Sequence, residues 1–395
     1  MNETTADFIR RHADDDIRQL ALKGTKDPDV DLTIALDQIA GRQTARRKLP
    51  SWAASDGIIY PPHLSMEQCS SEQTARYKQT LSQQTLSQSV FVDLTGGFGV
   101  DFSFMARGFQ KAVYVERQEH LCDIARHNFE VLGLRAEVVC GDSEEYLRQM
   151  SRANLIYIDP ARRDDNGQRT YGIGDCTPDV VALRDLLLAK ADRVIIKLSP
   201  MLDWRKAVSD LGAEYVSEVH IVSVQNECKE LLILMQQRPA EPLTIYCVND
   251  DSVFSYRPSP TSSNHISHHS SLVFLYEPNA SIMKAGCFND IAKAFGVSQL
   301  ASNSHLFTSD RLVADFPGRV FHIEAVTTMN KRELRTALAD IRQANITVRN
   351  FPLTVAQLRQ RLKLSEGGST FIFATTLADG SHVLLICSKT KMSMD

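Results

Sequence analysis

The stretch SVFVDLTGGFGVDF, residues 89–102, decides the fold. A short apolar run ends on a carboxylate at Asp93, then Gly96, Gly97 and Gly99 follow closely, and a helix-like segment begins after them. Glycines at such a point let the backbone turn sharply from strand to helix and come close to a bound ligand. Outward from this turn, KAVYVE (111–116), AEVVC (136–140), ANLIYID (153–159) and DRVIIKL (192–198) are further short apolar runs separated by helix-like stretches. That alternation signals a parallel sheet. SEVHIVSV (217–224) and ELLILMQ (230–236) are joined only by QNECK, too short for a helical crossover, which predicts an antiparallel hairpin at the end of the sheet. The fold class is therefore α/β, a doubly wound sheet with an antiparallel terminal hairpin.

The flanking segments differ in texture. Residues 1–85 are polar and helix-prone, broken at Gly24, Asp27-Pro28 and Tyr60-Pro61-Pro62, and predict a helical N-terminal region. The α/β domain is expected over 86–238. Pro239, Pro242 and the Ser/His-rich SYRPSPTSSNHISHHSS (255–271) mark a linker and small connecting domain over 239–325. FHIEAV, a helix from Asn330 to Ala344, ITVRN, a helix from Thr354 to Leu362, STFIFATT and HVLLICS then predict a small α+β domain over 326–395.

Composition narrows the class. The chain has 395 residues, 43% hydrophobic and 23% charged, which suits a globular protein with a sizeable core. No apolar run is long enough to span a bilayer, and the first residues lack signal-peptide order, so no membrane is expected and the protein is placed in the cytoplasm. The eight cysteines contain no C-x-x-C pair and indicate neither disulfides nor a zinc ribbon. The net charge of −4 is too acidic for a surface that grips nucleic acid throughout, but charge is uneven. Arg42, Arg46, Arg47 and Lys48 are close together, and Lys331 to Lys363 carries eight Lys or Arg against Glu333 and Asp340. Such runs are either solvated faces or nucleic-acid contacts.

The ends of successive strands converge on one ligand edge. A G-x-G-x-x-G register read from Gly97 places Phe102 at its third glycine, which disfavours a dinucleotide. Glu116 ends the second strand, 17 residues after Gly99, where a carboxylate accepts hydrogen bonds from ribose hydroxyls. Asp142 ends the third, suited to an adenine amine, with Cys140 and Ser143 beside it. In open α/β sheets ligands bind along this edge.

Through D-L-T-G-G-F-G (93–99), Glu116, G-D-S (141–143) and D-P-A-R-R (159–163), residues 85–238 resemble class I S-adenosylmethionine-dependent methyltransferases. Through EPNASIMKAG (277–286) and NFPLTVAQLRQRLKL (350–364), the whole chain is similar to bacterial methyltransferase-like proteins with a C-terminal THUMP-like domain. The resemblance implies S-adenosyl-L-methionine as cofactor, held by Asp93, Thr95, Gly96, Gly97, Gly99, Glu116, Asp142 and Ser143. It also implies RNA, with tRNA as one class, as partner and substrate.

Methyl transfer asks a protein to hold the acceptor in line and to receive its proton. Asp159 can accept an N–H or O–H, Pro160 fixes the turn, and Arg162 or Arg163 suits a phosphate. Methyltransferases acting on base amines commonly follow D/N-P with proline and an aromatic, where this chain has Ala161 and Arg162; either a stacking ring comes from elsewhere, such as Phe98 or Tyr171, or the acceptor is not a flat base. The KLSP after the fifth strand lacks the cysteine of uridine-C5 enzymes, leaving Cys176 as a nucleophile or a bystander. Lys197 either contacts substrate or caps its strand. His265, His268 and His269 lack matching ligands, so no metal is expected, and Leu353, Leu358, Leu362 and Leu364 are expected in a core. Three functions stay open: an RNA methyltransferase with Asp159 orienting the acceptor, an inactive methyltransferase-fold RNA-binding or scaffold protein, and a methyltransferase for a protein or small molecule.

Overall fold

The computed structural model describes residues 2–83, 89–162, 172–258 and 272–390. The chain divides into two compact units. The first comprises residues up to His220 together with Lys229–Leu243, and the second comprises Ile221–Cys228 and the chain from Thr244 onward.

The first unit opens with helices α1 (Glu3–Arg11), α2 (Ile17–Lys23), α3 (Leu32–Lys48), α4 (Pro50–Ala53), α5 (His63–Gln68) and α6 (Glu72–Ser82). Their starts are written in the sequence: Asn2, Asp16, Asp31 and Ser71 each accept a backbone N–H of the first turn, satisfying donors that a helix leaves unpaired. Phe8, Leu20, Val30, Ala35 and Ile39 form one small core. A second core joins Leu49, Trp52, Tyr60 and Met66 of this region to Phe98, Val100 and Phe104 beyond the glycine turn. The N-terminal helices thus pack on the α/β layer, and Asn128 fixes the join by bonding both the N–H and the C=O of Ile59, each at 2.8 Å.

The α/β layer follows as β1 (Val90–Asp93), α7 (Val100–Met105), β2 (Lys111–Glu116), α8 (Glu119–Val131), β3 (Glu137–Cys140), α9 (Ser143–Gln149), β4 (Ala153–Ile158), β5 (Ala161–Arg162), β6 (Cys176–Thr177), α10 (Arg184–Lys190), β7 (Ala191–Leu198), α11 (Trp204–Leu211), β8 (Val216–Val224) and β9 (Glu227–Met235). Its sheet runs β8-β9-β7-β4-β1-β2-β3. The pairs β1·β2, β1·β4, β2·β3 and β4·β7 are parallel and β7·β9 is antiparallel. This is the doubly wound sheet with a terminal hairpin that the apolar runs predict. The hairpin is tighter than QNECK suggests, because the strands extend to Val224 and Glu227 and leave only Gln225 and Asn226, at φ 51° and 61°, as the turn. Two positive-φ residues match the right-handed twist of the strands they join. Phe91, Leu155, Ile156, Val194, Ile195 and Leu231 to Leu234 are fully buried, as expected where helices cover both faces.

In the second unit, β10 (Thr244–Asn249) and β11 (Ser252–Tyr256) form an antiparallel pair beside the hairpin tip. There follow β12 (Phe274–Pro278), α12 (Ala280–Ala285), α13 (Phe288–Phe295), β13 (Ser298–Gln299), β14 (Phe307–Ser309), β15 (Gly318–Thr327), α14 (Lys331–Ala337), β16 (Asn345–Arg349), α15 (Val355–Leu362), β17 (Thr370–Thr376) and β18 (His382–Lys389). One mixed sheet, β13-β14-β12-β15-β18-β17-β16, holds them, with β15 running across position 325/326. The β-α-β-α-β-β order matches expectation, but the helix drawn to Ala344 stops at Ala337. Ala344 is fully buried and its N–H bonds Ser365 O at 3.0 Å, so residues beyond Ala337 are drawn into the core and the ladder leading to β16. Leu358 and Leu364 are buried there with Leu353 and Leu362 against them, the core stripe expected from their spacing. Glu277 of the EPN stretch is buried and ion-paired with Arg319 and Arg349, and Asn279 caps α12.

Candidate functional site

The site begins where β1 stops. Asp93 is buried, and its Oδ1 accepts the N–H of Thr95 at 2.9 Å, which starts the turn. Burial, with carboxylates at Asp101, Asp159 and Glu116 nearby, holds the Asp93 pKa well above the usual range. At Gly96 a Cβ would lie 2.1 Å from the ring of Tyr114, so only glycine lets the loop lie flat on β2. Gly97 has φ +55° and open space around its absent side chain, leaving the backbone approachable. Its N–H donates to Glu116 Oε2 at 2.9 Å, while Gln118 N donates to Oε1 at 2.9 Å. Each carboxylate oxygen of Glu116 thus takes one backbone N–H and keeps further acceptor capacity.

At the end of β3, Asp142 Oδ1 caps α9 by accepting Glu144 N and Glu145 N at 2.9 and 3.0 Å. At the end of β4, Asp159 N donates to Thr95 Oγ1 at 2.6 Å, so Thr95 ties the two strand ends together. Asp159 Oδ2 accepts Lys197 Nζ, from the end of β7, at 2.6 Å. Asp93, Thr95, Gly96, Gly97, Gly99, Glu116, Asp142, Ser143, Asp159 and Lys197 all line one cleft of about 290 Å³. Pro160 is buried beside it, and the Arg162 side chain, like Arg163 and Tyr171, lies outside the described residues. The donor set suits a nucleoside carrying a cationic tail: carboxylates at two strand ends, and exposed backbone at a glycine loop.

A model of a ferredoxin-like domain matches residues 274–317, and a model of a THUMP-like domain matches residues 318–389. A candidate methyltransferase from Porphyromonas gingivalis W83 is 33% identical to this chain, with 98% of each chain covered and a TM-score of 0.87. The chain belongs to this family of class I S-adenosylmethionine-dependent methyltransferases with a C-terminal THUMP-like domain. Weaker structural matches include a candidate methyltransferase from Streptococcus mutans in complex with S-adenosylhomocysteine (15% identity, 40% of this chain and 94% of that one, TM-score 0.31). Another is a candidate RNA methyltransferase from Pyrococcus horikoshii (14% identity, 51% and 98% covered, TM-score 0.37). No curated protein matches the chain by sequence.

Behind the cleft stands a charge cluster that the strand-end pattern does not reveal. Lys78 of α6 has a fully buried side chain and lies 2.7 and 2.6 Å from the two oxygens of Glu230 on β9, and 3.1 Å from Asp101 Oδ1. Asp101 Oδ2 accepts Tyr157 Oη at 2.7 Å and Ser70 Oγ at 2.8 Å, and is 3.7 Å from Lys197 Nζ. Burial opposes ionisation of Asp101, but Lys78 and Lys197 outweigh it and lower its pKa. Burial raises Glu230 despite Lys78. Burial alone would lower Lys197, yet Asp159, Asp101 and Glu230 raise it, keeping an ammonium in the cleft. One signal in the sequence points here: Lys78 shares the buried face of α6 with Ala75, Leu81 and Ser82, and Glu230 heads the apolar ELLILM run.

The N-terminal helices also contribute cleft wall, through Ser65, Gln68, Cys69 and Ser70. Three basic residues of α3 have partners within this region: Arg46 pairs with Asp14, Lys48 Nζ donates to Met66 O and Glu67 O at 2.9 and 2.7 Å, and Arg42 lies 3.7 Å from Asp56. Phe98 is not an open stacking platform, because its ring packs edge-on against Trp52 at 4.9 Å in the core. Cys176 is buried, pairs across β5·β6 with Arg162, and does not line the cleft. His265, His268 and His269 lie outside the described residues.

Proposed function

We propose that this protein is an S-adenosylmethionine-dependent RNA methyltransferase, with tRNA the first class of substrate to examine. The observation that carries the proposal is the opening of the Asp159–Lys197 ion pair onto the same cleft as Glu116 and Asp142. Glu116 would accept the ribose hydroxyls of the cofactor and Asp142 its adenine amine, while Gly96 to Gly99 lets backbone lie against it. Bound there, the cofactor's sulfonium supplies an activated methyl group. Asp159 orients the acceptor by taking its N–H or O–H hydrogen bond, and Lys197 holds Asp159 in one direction. RNA capture is assigned to the THUMP-like domain, where Lys331, Arg332, Arg335, Arg361 and Lys363 are exposed.

The test is incubation of the purified full chain with methyl-labelled S-adenosylmethionine and total RNA or a tRNA pool, beside calorimetric titration with the cofactor and with NAD. Label in RNA and saturable binding of the cofactor alone are expected. Cofactor binding with no label in any RNA would move the assignment to an inactive RNA-binding or scaffold protein, or to a protein or small-molecule acceptor.

A further inference from the structure

The two lysines of the charge cluster differ in what they meet. Lys78 is fully buried and committed to Glu230 and Asp101. Lys197 lines the cleft, retains 14% side-chain exposure, and shares Asp159, itself 38% exposed, with whatever enters. Resting on the assignment of this site to RNA methylation, we propose that the acceptor is a hydroxyl oxygen, the ribose 2′-OH, and that Lys197 is a catalytic residue facing that oxygen.

Charge decides between the acceptor atoms. A neutral amine becomes more positive as it gains a methyl group, and an ammonium held within 2.6 Å of the orienting carboxylate opposes that change. A hydroxyl oxygen instead becomes more negative as its proton leaves, and the same ammonium stabilises it. Lys197 remains protonated among Asp159, Asp101 and Glu230, so it acts through its charge and does not serve as a base.

Shape points the same way. An exocyclic amine or ring nitrogen is presented by a flat base, which needs a ring or plane to lie against. Among the described residues lining the cleft, the aromatic ones are Phe98 and Tyr157. Both are buried, Phe98 against Trp52 and Tyr157 with its hydroxyl on Asp101. Arg162 stands where an aromatic would follow the Asp-Pro turn, and a sugar needs no such platform. The 2′-OH is also the hydroxyl that distinguishes RNA from DNA at every nucleotide.

The step balances without a further reactant. The 2′ oxygen forms its bond to the methyl carbon as the carbon–sulfur bond breaks, its proton passes to Asp159 and then to solvent, and the sulfonium leaves as a neutral thioether. Lys197 keeps its protons throughout.

Product analysis decides the matter. RNA labelled by the full chain is digested with alkali, which cleaves by attack of the 2′ oxygen on the neighbouring phosphate; a 2′-O-methyl group blocks that attack and leaves a labelled dinucleotide. Label in alkali-resistant dinucleotides is expected. Label in mononucleotides would overturn the hydroxyl acceptor while leaving RNA methylation standing, and no label in any RNA would overturn both. For the residue itself, Lys197→Met should slow single-turnover transfer about 100-fold while the cofactor Kd from calorimetry stays within about threefold. Lys197→Arg, which keeps the charge, should retain more of the rate than Lys197→Met. Equal loss in both variants, or a Lys197→Met rate near that of the parent, would overturn the role of Lys197.

Discussion

Lys78 Nζ lies 2.7 and 2.6 Å from the two carboxylate oxygens of Glu230, a residue 152 positions later in the chain, and both side chains are buried. The contact ties the N-terminal helix α6 to strand β9, next to the strand that carries Lys197. Asp101 joins the same group, so two ammoniums face three carboxylates when Asp159 is counted. Such a cluster is costly to desolvate and costlier still to break, because each partner removed leaves a buried charge uncompensated.

Lys78→Met should therefore destabilise the protein by about 3–5 kcal/mol, read as a lowered urea midpoint. Adding Glu230→Gln to that variant should restore part of the loss by removing the stranded charge. A Lys78→Met midpoint equal to that of the parent would show that the buried pair contributes no net stability.

The glycine loop makes a sharper comparison. Gly96→Ala would place a Cβ 2.1 Å from the fully buried ring of Tyr114, whose hydroxyl is held by Gly97 O. With no room for the ring to swing, a cost of about 1–3 kcal/mol or more is expected. Gly97→Ala meets open space and bears only its positive φ, a cost of about 1–2 kcal/mol. Thermal melts of the two variants should rank Gly96→Ala as the less stable, and the reverse order would mean that Tyr114 moves.

For Glu116→Ala the expected loss is cofactor affinity, at least about tenfold or 1.4 kcal/mol by calorimetry. The carboxylate also receives the N–H groups of Gly97 and Gln118, so the loop loses its anchor together with the ligand. Unchanged affinity would remove Glu116 from the proposed binding set.

What could be seen in the sequence was local. Asp93, Glu116, Asp142 and Asp159 each close an apolar run, and parallel strands bring run ends together along one edge, so their grouping follows from pattern alone. Lys78 and Glu230 were hidden because their partners are far along the chain, and a lysine within a polar helix looks solvated until the opposite face is known. The same ambiguity affects Arg46 and Lys48: a basic run looks the same whether it meets water, a phosphate, or, as here, Asp14 and the carbonyls that end α5. Helix α14 ends early for a non-local reason too, since Ala344 N is needed by Ser365 O.

His220 is one source of pH dependence in the first unit. Its Nδ1 lies 2.7 Å from Tyr77 Oη and its Nε2 lies 2.9 Å from Glu218 Oε2, with Arg193 on the far side of Glu218. Burial lowers its pKa below 6.5, against the opposing pull of Glu218. A depressed folded-state pKa adds stability that is fully present above the unfolded value and is lost as pH falls through the folded one. Melting temperature should thus fall as pH drops from about 7 to 5, above the range where carboxylates such as Glu218 titrate. His220→Gln should flatten that slope, and an equally steep slope in the variant would assign the effect to other groups.

Salt separates the basic residues that could meet RNA from those already paired. Each phosphate contact contributes about 0.7–0.9 to the slope of log K against log salt, so replacing exposed Lys331, Arg332 and Arg335 of α14 with Gln should lower the slope for RNA by about two. Arg349→Gln in the same domain should leave the slope alone and lower stability instead, because Arg349 is held 3.0 Å from buried Glu277, which would lose a compensating charge. Arg46→Gln should change stability little, since its pair with Asp14 is exposed on both sides. An RNA slope that is insensitive to the α14 triple replacement would place the phosphate contacts on another surface, and the THUMP-like domain would lose its proposed part in binding.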